Sequence, residues 1–105
     1  MENRELLELA ARAAGIVGQW HERGQCIHVT NCAGMSDTWW RPHEDDGDAL
    51  RLAIKLGICI VFMEDHDSVG AEHSAHGIMI IEAMDDFGTR RAIVRAAAEI
   101  GRAKP

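Results

Sequence analysis

The sequence predicts a single α+β domain, residues 1–105, in which helices pack on a mainly antiparallel sheet of about four strands. Helix-period apolar stripes with capping signals occur three times, and short apolar or alternating stretches occur in pairs between them. The predicted order is therefore α-β-β-α-β-β-α. No Gly-x-Gly-x-x-Gly motif and no obligatory parallel crossover interrupt this order.

The first helix is predicted in NRELLELAARAAG, where apolar residues recur at helical spacing and Gly15 supplies the left-handed residue after the last turn. Two short β-like stretches follow, IVGQWH and QCIHV. The intervening Arg23-Gly24 predicts a tight hairpin turn. This register places Trp20 opposite Ile27 on one face. On the other face it pairs His21 with Cys26, and His28 lies two residues further along.

The segment WRPHEDDGDALRLAIKLG, residues 40–57, carries the most complete set of helix signals. Pro42 precedes the helix, since a proline keeps the residue before it out of the helical region. Asp45 or Asp46 is a natural N-cap, and Gly57 ends the helix. Helix capping therefore explains why acidic residues cluster here.

Two almost wholly apolar stretches, ICIVFM (residues 58–63) and GIMIIEAM (residues 77–84), are predicted as the third and fourth strands. Because ICIVFM is apolar on both faces, we expect it to be central and covered on both sides, or covered on one side and at an interface on the other. The polar stretch EDHDSVGAEHSAHG is predicted as a loop across which the two strands pair antiparallel. DDFGT caps a final helix, TRRAIVRAAAEIGRA, whose inward face is predicted to be Ile93, Ala96, Ala97 and Ile100.

Charge and composition exclude several classes of function. The formal net charge is −6, and residues 1–88 carry sixteen acidic but only six basic side chains. Such an acidic body argues against nucleic acid as a partner, because non-specific binding needs a basic surface. No apolar run approaches the roughly twenty residues of a membrane span, and three cysteines at irregular spacing form no disulfide framework. We therefore expect a cytoplasmic protein without a membrane partner.

The blocks WRPHEDDGDALRLAIKLG and TRRAIVRAAAEIGRA resemble a group of small uncharacterised phage and prophage proteins. Those proteins carry a W-x-P-x-x-D-D-G-D-A-L-R-L-A-x-K-L-G block in mid-chain and end in an R-R-A-I-V-R-A-A-A-x-I-G helix. The opening RELLELAARAAGI fits the same group, and the layout is loosely similar to that of phage NinX-like proteins. The resemblance implies a phage or prophage origin and a bacterial cytoplasm, but no role for any residue.

Histidine and cysteine residues suggest a metal site in the first hairpin. His21, Cys26 and His28 are predicted on one face, and imidazole and thiolate ligands suit zinc. Cys32 joins them only if its loop folds back. In the competing interpretation, which we expect, these are solvent-side residues of a two-stranded ribbon.

A second histidine pair, His73 and His76, has i, i+3 spacing in the polar loop, where Glu64–Asp67 offers oxygen ligands. Neither an HExxH motif nor the spacing of an EF-hand loop is present. The acidic HEDDGD stretch resembles a carboxylate cluster for Mg²⁺, but capping accounts for its spacing. We therefore predict no metal ligand, catalytic residue or cofactor.

Five residues are predicted to contact a partner: Trp39, Trp40, Pro42, Arg91 and Arg95. Adjacent residues of an extended chain point to opposite sides. One tryptophan can therefore enter the core while the other stays at the surface, as is typical of interaction hot spots. The alternative is that both tryptophans cover the underside of the second helix. The two arginines lie on a basic terminal helix that can meet an acidic partner.

These observations favour a non-enzymatic protein-interaction module that self-associates, for example as a homodimer, or binds a host protein. Two other hypotheses stay open. One is a metal-binding regulator or metal-dependent enzyme that uses the histidine and cysteine clusters. The other is an acidic mimic of nucleic acid that blocks a host DNA-binding protein.

Overall fold

The computed structural model describes residues 3–30 and 39–104. Two antiparallel three-stranded sheets are present in these residues, where the sequence predicts one sheet of about four strands. The α+β class is confirmed, but the number of strands and their order differ from the prediction. In chain order the elements are α1 (Asn3–Ala14), β1 (Gly18–His21), β2 (Cys26–Val29), β3 (Trp39–Trp40), α2 (Asp46–Leu56), β4 (Cys59–Met63), β5 (Ser68–His73), β6 (Ile78–Ala83) and α3 (Asp86–Ala103).

The N-terminal sheet has the order β1-β2-β3, and its hairpin register is confirmed. Trp20 lies opposite Ile27, and His21 lies opposite Cys26. The residue with positive φ in the turn is Gln25, at 50°, and not Gly24. The Gln25 side-chain amide donates a hydrogen bond of 2.7 Å to the carbonyl oxygen of Glu22, which ties the turn together.

The C-terminal sheet has the order β4-β5-β6, and β5 lies inside the stretch predicted as a loop. The predicted pairing of the third and fourth strands is therefore wrong. β4 and β6 each pair antiparallel with β5, so that Val61 and Ile81 flank Gly70 on either side. The apolar strand ICIVFM is consequently an edge strand, so the first of its two expected arrangements, a central strand covered on both sides, is wrong.

Two turns of the same form connect the strands of the C-terminal sheet. Glu64–His66 and Ser74–His76 are single 3₁₀ turns. Each is closed by a left-handed residue, Asp67 with φ of 47° or Gly77 with φ of 65°. Aspartate and glycine both tolerate this conformation, so the chain reverses direction twice within a few residues.

The ends of α2 are confirmed as predicted. The Asp45 carboxylate accepts a hydrogen bond of 2.8 Å from the backbone N–H of Asp48, and Gly57 closes the helix with φ of 70°. The carboxylate of Asp48 also accepts a bond of 2.9 Å from the backbone N–H of Arg41. The aspartates therefore fix both the start of the helix and the chain that enters it.

The core forms where α3 packs against α1 on one side and against β5 and β6 on another. The inward face predicted for α3 is confirmed, but Ala98, which is not part of that predicted face, is also fully buried. Helices α1 and α3 approach closely there, since a Cβ atom at Gly101 would overlap the carbonyl oxygen of Leu9. None of the helices in the described residues is long and apolar enough to span a bilayer.

Candidate functional site

Trp39 lies at the surface of the N-terminal sheet between two histidines. Its ring centroid is 4.7 Å from that of His21 and 4.7 Å from that of His28. Trp39 is 39% exposed, whereas Trp40 is only 6% exposed and Pro42 is fully buried. The two tryptophans thus point to opposite sides, and Trp40 and Pro42 belong to the core.

The histidines and cysteine of this face lie together without forming a set of three ligands. The Nδ1 atom of His21 accepts a hydrogen bond of 2.9 Å from the backbone N–H of Gly24. That bond occupies the nitrogen lone pair and places the proton of the neutral ring on Nε2. Cys26 is fully buried. In the part of the chain that the structure describes, no three potential metal ligands cluster, and Cys32 lies outside it.

His73 and His76 contact each other beside the second 3₁₀ turn. Their Nδ1 atoms are 3.0 Å apart, and their ring centroids are 4.6 Å apart. In this hydrogen bond one Nδ1 atom donates and the other accepts, and the tautomers decide which ring does which. The pair offers two nitrogen ligands and no third one from a described side chain.

The carboxylates of HEDDGD are engaged within the molecule. Asp46 lies 2.7 Å from the guanidinium of Arg90, and Asp48 lies 2.7 Å from that of Arg51. The hydrogen bond to Asp48 raises the pKa of Arg51. Together with the cap formed by Asp45, these contacts explain the acidic cluster without a bound cation.

The two arginines predicted to meet a partner contact a carboxylate of their own chain. Arg95 Nη1 lies 2.6 Å from Glu82 Oε2, and Arg91 Nε lies 3.4 Å from the same oxygen. Glu82 is on the face of β6 that points toward α3. Contact of Arg91 and Arg95 with a second protein stays a prediction.

His43 is a largely buried imidazole just after β3. Its side chain is 14% exposed, and Nε2 lies 3.1 Å from Glu44 Oε1 in a direction that forms no hydrogen bond. Among the described residues neither ring nitrogen has a hydrogen-bond partner. Burial lowers the pKa of His43, and the neighbouring Glu44 only partly opposes that shift.

The C-terminal sheet has an outer face, which we define as the side opposite α3. Side chains alternate along each strand, so the outer face takes one set from each of the three strands: Cys59, Val61, Met63, Ser68, Gly70, Glu72, Met79, Ile81 and Ala83. Val61 is 37% exposed, Met79 50% and Ile81 48%. Because Gly70 has no side chain, the ends of Met79 and Ile81 lean across it, 3.2 and 3.5 Å from where a Cβ would be. The outer face is therefore a nearly continuous apolar surface.

Within residues 3–30 and 39–104, β4 pairs on one side only, with β5, and it carries exposed side chains on both faces. Val61 lies on its outer face, and Phe62, on its inner face, is 59% exposed. Beside Phe62 is an open groove of about 480 Å³ between α2, β4 and the start of α3, which we call the β4 groove. Leu50 of α2 lines the groove and is 53% exposed, and Ile54, one turn further along α2, is 69% exposed. The apolar surface thus continues from the outer face, around the edge of β4, to α2.

Comparison with known proteins identifies no relative. No protein-family model, no curated protein and no solved structure matches the chain. The resemblance to small phage proteins therefore stays a prediction.

The sequence alone does not single out Phe62, Leu50 and Ile54 as surface residues. Leu50 and Ile54 do carry a signal, because they are one turn apart and lie off the stripe formed by Ala49, Leu52 and Ala53. Phe62 carries none, because an apolar run looks the same in a central and an edge strand.

Proposed function

We propose that the protein is a non-enzymatic interaction module that self-associates through the β4 side of its C-terminal sheet. One observation carries the proposal: β4 consists of five uncharged, mostly large apolar residues, and its edge and both faces are exposed. Soluble proteins normally protect such an edge with a charge, a proline, a bulge or a covering segment. β4 has no charged residue and no proline.

A second copy of the chain provides a matching surface. The exposed apolar side chains lie close together on β4 and α2, and burying apolar area stabilises a complex by roughly 25 cal/mol per Å². A strand from a partner also satisfies the free backbone N–H and C=O groups of β4, which an apolar side chain alone cannot do. Self-association therefore supplies both kinds of contact with one surface.

The proposed cellular location rests on the sequence resemblance to phage and prophage proteins. As part of the same proposal, we place the protein in the cytoplasm of a bacterium that carries a phage or prophage. There a host protein is the alternative partner for the same surface.

Sedimentation velocity on the purified chain tests the proposal. We expect the wild type to dimerise with a dissociation constant on the order of micromolar. Phe62→Ser should weaken association at least about tenfold, because it removes an exposed apolar contact worth over about 1.4 kcal/mol.

Phe87→Ser is the matched control. Phe87 is 61% exposed, nearly the same as Phe62, but it does not line the β4 groove and instead lies beside Leu6, Leu7 and Val94. The control should dimerise like the wild type. A wild-type chain that is monomeric up to about 200 µM, far above a micromolar dissociation constant, contradicts the proposal.

A further inference from the structure

We infer that two copies pair their β4 strands antiparallel about a two-fold axis, with Val61 of one copy opposite Val61 of the other. The two three-stranded C-terminal sheets then form one continuous sheet. This inference rests on the proposed self-association and specifies its geometry.

The two edges of the C-terminal sheet are not equivalent, although in the described residues β4 and β6 each pair with β5 alone. β6, at the other edge, carries Glu82 on its inner face, where Arg95 and Arg91 hold it. An inward-pointing charge is one of the devices by which natural sheets avoid edge-to-edge pairing. Along the whole of β4, from Cys59 to Met63, no such residue is present. Pairing between copies is therefore directed to β4.

The inner face beside β4 is partly open. α3 packs against β5 and β6, and α2 packs beside α3. The β4 groove of about 480 Å³ separates α2 from β4, and Leu50 is exposed along it. Apolar side chains that enter the groove from a second copy would therefore contact Leu50 and Phe62.

The length of β4 fixes the register. β4 has five residues, so full overlap of two antiparallel copies places the middle residue, Val61, opposite itself. Residues directly opposite each other in an antiparallel pair share a face. Ile60 then meets Phe62 of the second copy on the inner face beneath α2, and every β4 residue meets another uncharged residue.

Charges at the ends of β4 are complementary in this register. Residue 64 of one copy stands opposite residue 58 of the other, next to the last turn of α2, which carries Lys55. Glu64 and Asp65 of one copy thus approach Lys55 of the other, and by symmetry this happens twice. Among the described residues, none of these three side chains has an ion-pair partner within its own chain.

The one charged residue of the outer face is no obstacle. The two copies of Glu72 lie on the β5 strands, which are three strand spacings apart, about 14 Å. They are also displaced by four residues along the strands, about 13 Å. Like charges are therefore kept well apart.

Disulfide cross-linking tests the register directly. The variants are made in a chain with Cys32→Ser and Cys59→Ser, incubated in a glutathione redox buffer, and analysed on non-reducing gels. Val61→Cys should give a cross-linked dimer, because directly opposite Cα atoms are about 4.5–5.5 Å apart, within the range of a disulfide. Met63→Cys in the same background is the control and should stay monomeric, because its two copies are about 13 Å apart.

A third variant uses the natural cysteine. Met63→Cys with Cys59 retained should cross-link, because residue 63 stands opposite residue 59 of the second copy. Cross-linking of Met63→Cys in the background without Cys59 indicates a different register and overturns the inference.

Sedimentation separates failure of the register from failure of the proposed function. If the chain dimerises in solution but the Val61→Cys variant forms no disulfide, the β4 pairing is wrong. Self-association itself would still be supported. A chain that is monomeric by sedimentation and shows no cross-link contradicts both.

Discussion

The N-terminal and C-terminal sheets have the same number of strands and the same antiparallel pairing, but they differ in how many of their faces are covered. In β2, the central strand of the N-terminal sheet, Cys26 and Ile27 point to opposite faces and are 0% and 3% exposed, so this strand is covered on both faces, although Trp39 of β3 lies at the surface. In β6, Ile81 on the outer face is 48% exposed, while β5 buries Val69 completely on the inner face. An apolar strand sequence therefore shows only that a strand is suited to burial. Whether other elements of the same chain pack on that strand depends on where the helices lie.

The largest expected effect compares two isoleucines given the same substitution. Ile27→Ala in the covered sheet should lower the free energy of unfolding by about 2–5 kcal/mol, because a buried isoleucine leaves a cavity. Ile81→Ala on the open face should cost less than about 1 kcal/mol, because much of its side chain already contacts water. Urea denaturation at one fixed protein concentration measures both. Equal losses at the two positions would show that the outer face is covered in solution.

A smaller effect compares two glycines. A Cβ atom at Gly18 in β1 would overlap the backbone carbonyl oxygen of His28, whereas at Gly70 it would meet the ends of three flexible side chains, Met63, Met79 and Ile81. Backbone cannot move aside as a flexible side chain can, so we expect Gly18→Ala to destabilise by about 1–3 kcal/mol. Gly70→Ala should be within about 1 kcal/mol of the wild type, since removing a strand glycine offsets part of the repacking. Thermal unfolding of the two variants checks the order, and a larger loss at Gly70 would contradict it.

The smallest expected effect is the pH dependence that the buried side chain of His43 gives to the free energy of unfolding. Burial lowers the pKa of His43 from its usual value near 6.5, so the unfolded chain binds this proton more readily than the folded chain. The contribution of neutral His43 to stability is complete above pH 6.5 and is lost as the pH falls from there toward the lowered pKa.

His43→Phe removes this titration while keeping a planar ring. The fall in unfolding free energy between about pH 7.5 and pH 5 should be shallower in the variant than in the wild type. Urea denaturation at both pH values measures the two slopes. A variant with the same slope as the wild type would show that His43 is equally easy to protonate in both states.

Much of the fold could be predicted wherever local chemistry alone decides the structure. Asp45 and Gly57 specify the two ends of α2 by capping, and the hairpin pairs Trp20 with Ile27 as its turn length requires. β5 is harder to predict as a strand, because Val69 and Ala71 are its two apolar residues. Its signals were the period-two alternation around those residues and the two similar turns on either side.

The candidate site could be predicted only in part. The sequence indicates that one of two adjacent tryptophans is exposed, since extended backbone alternates its side chains, and Trp39 is the exposed one. It does not indicate that β4 lies at an edge, because that depends on β5 inserting between β4 and β6. Strand order is set by contacts between distant residues, and no local pattern in ICIVFM reports it.

The packing of α1 against α3 sets the order in which the chain can mature on the ribosome. Arg12 Nη2 donates a hydrogen bond of 2.8 Å to the carbonyl oxygen of Lys104, and Lys104 Nζ donates one of 3.1 Å to that of Ala13. α1 ends at Ala14 and α3 begins at Asp86. At a translation rate of about 5–20 residues per second, synthesis of α3 therefore begins roughly 4–14 s after α1 is complete. During that interval most of the apolar stripe of α1 stays uncovered, because α1 packs mainly against α3 and only slightly against β2 and α2. Completion of the core is therefore a late step, and nascent chains stalled before α3 are the form that chaperones would hold.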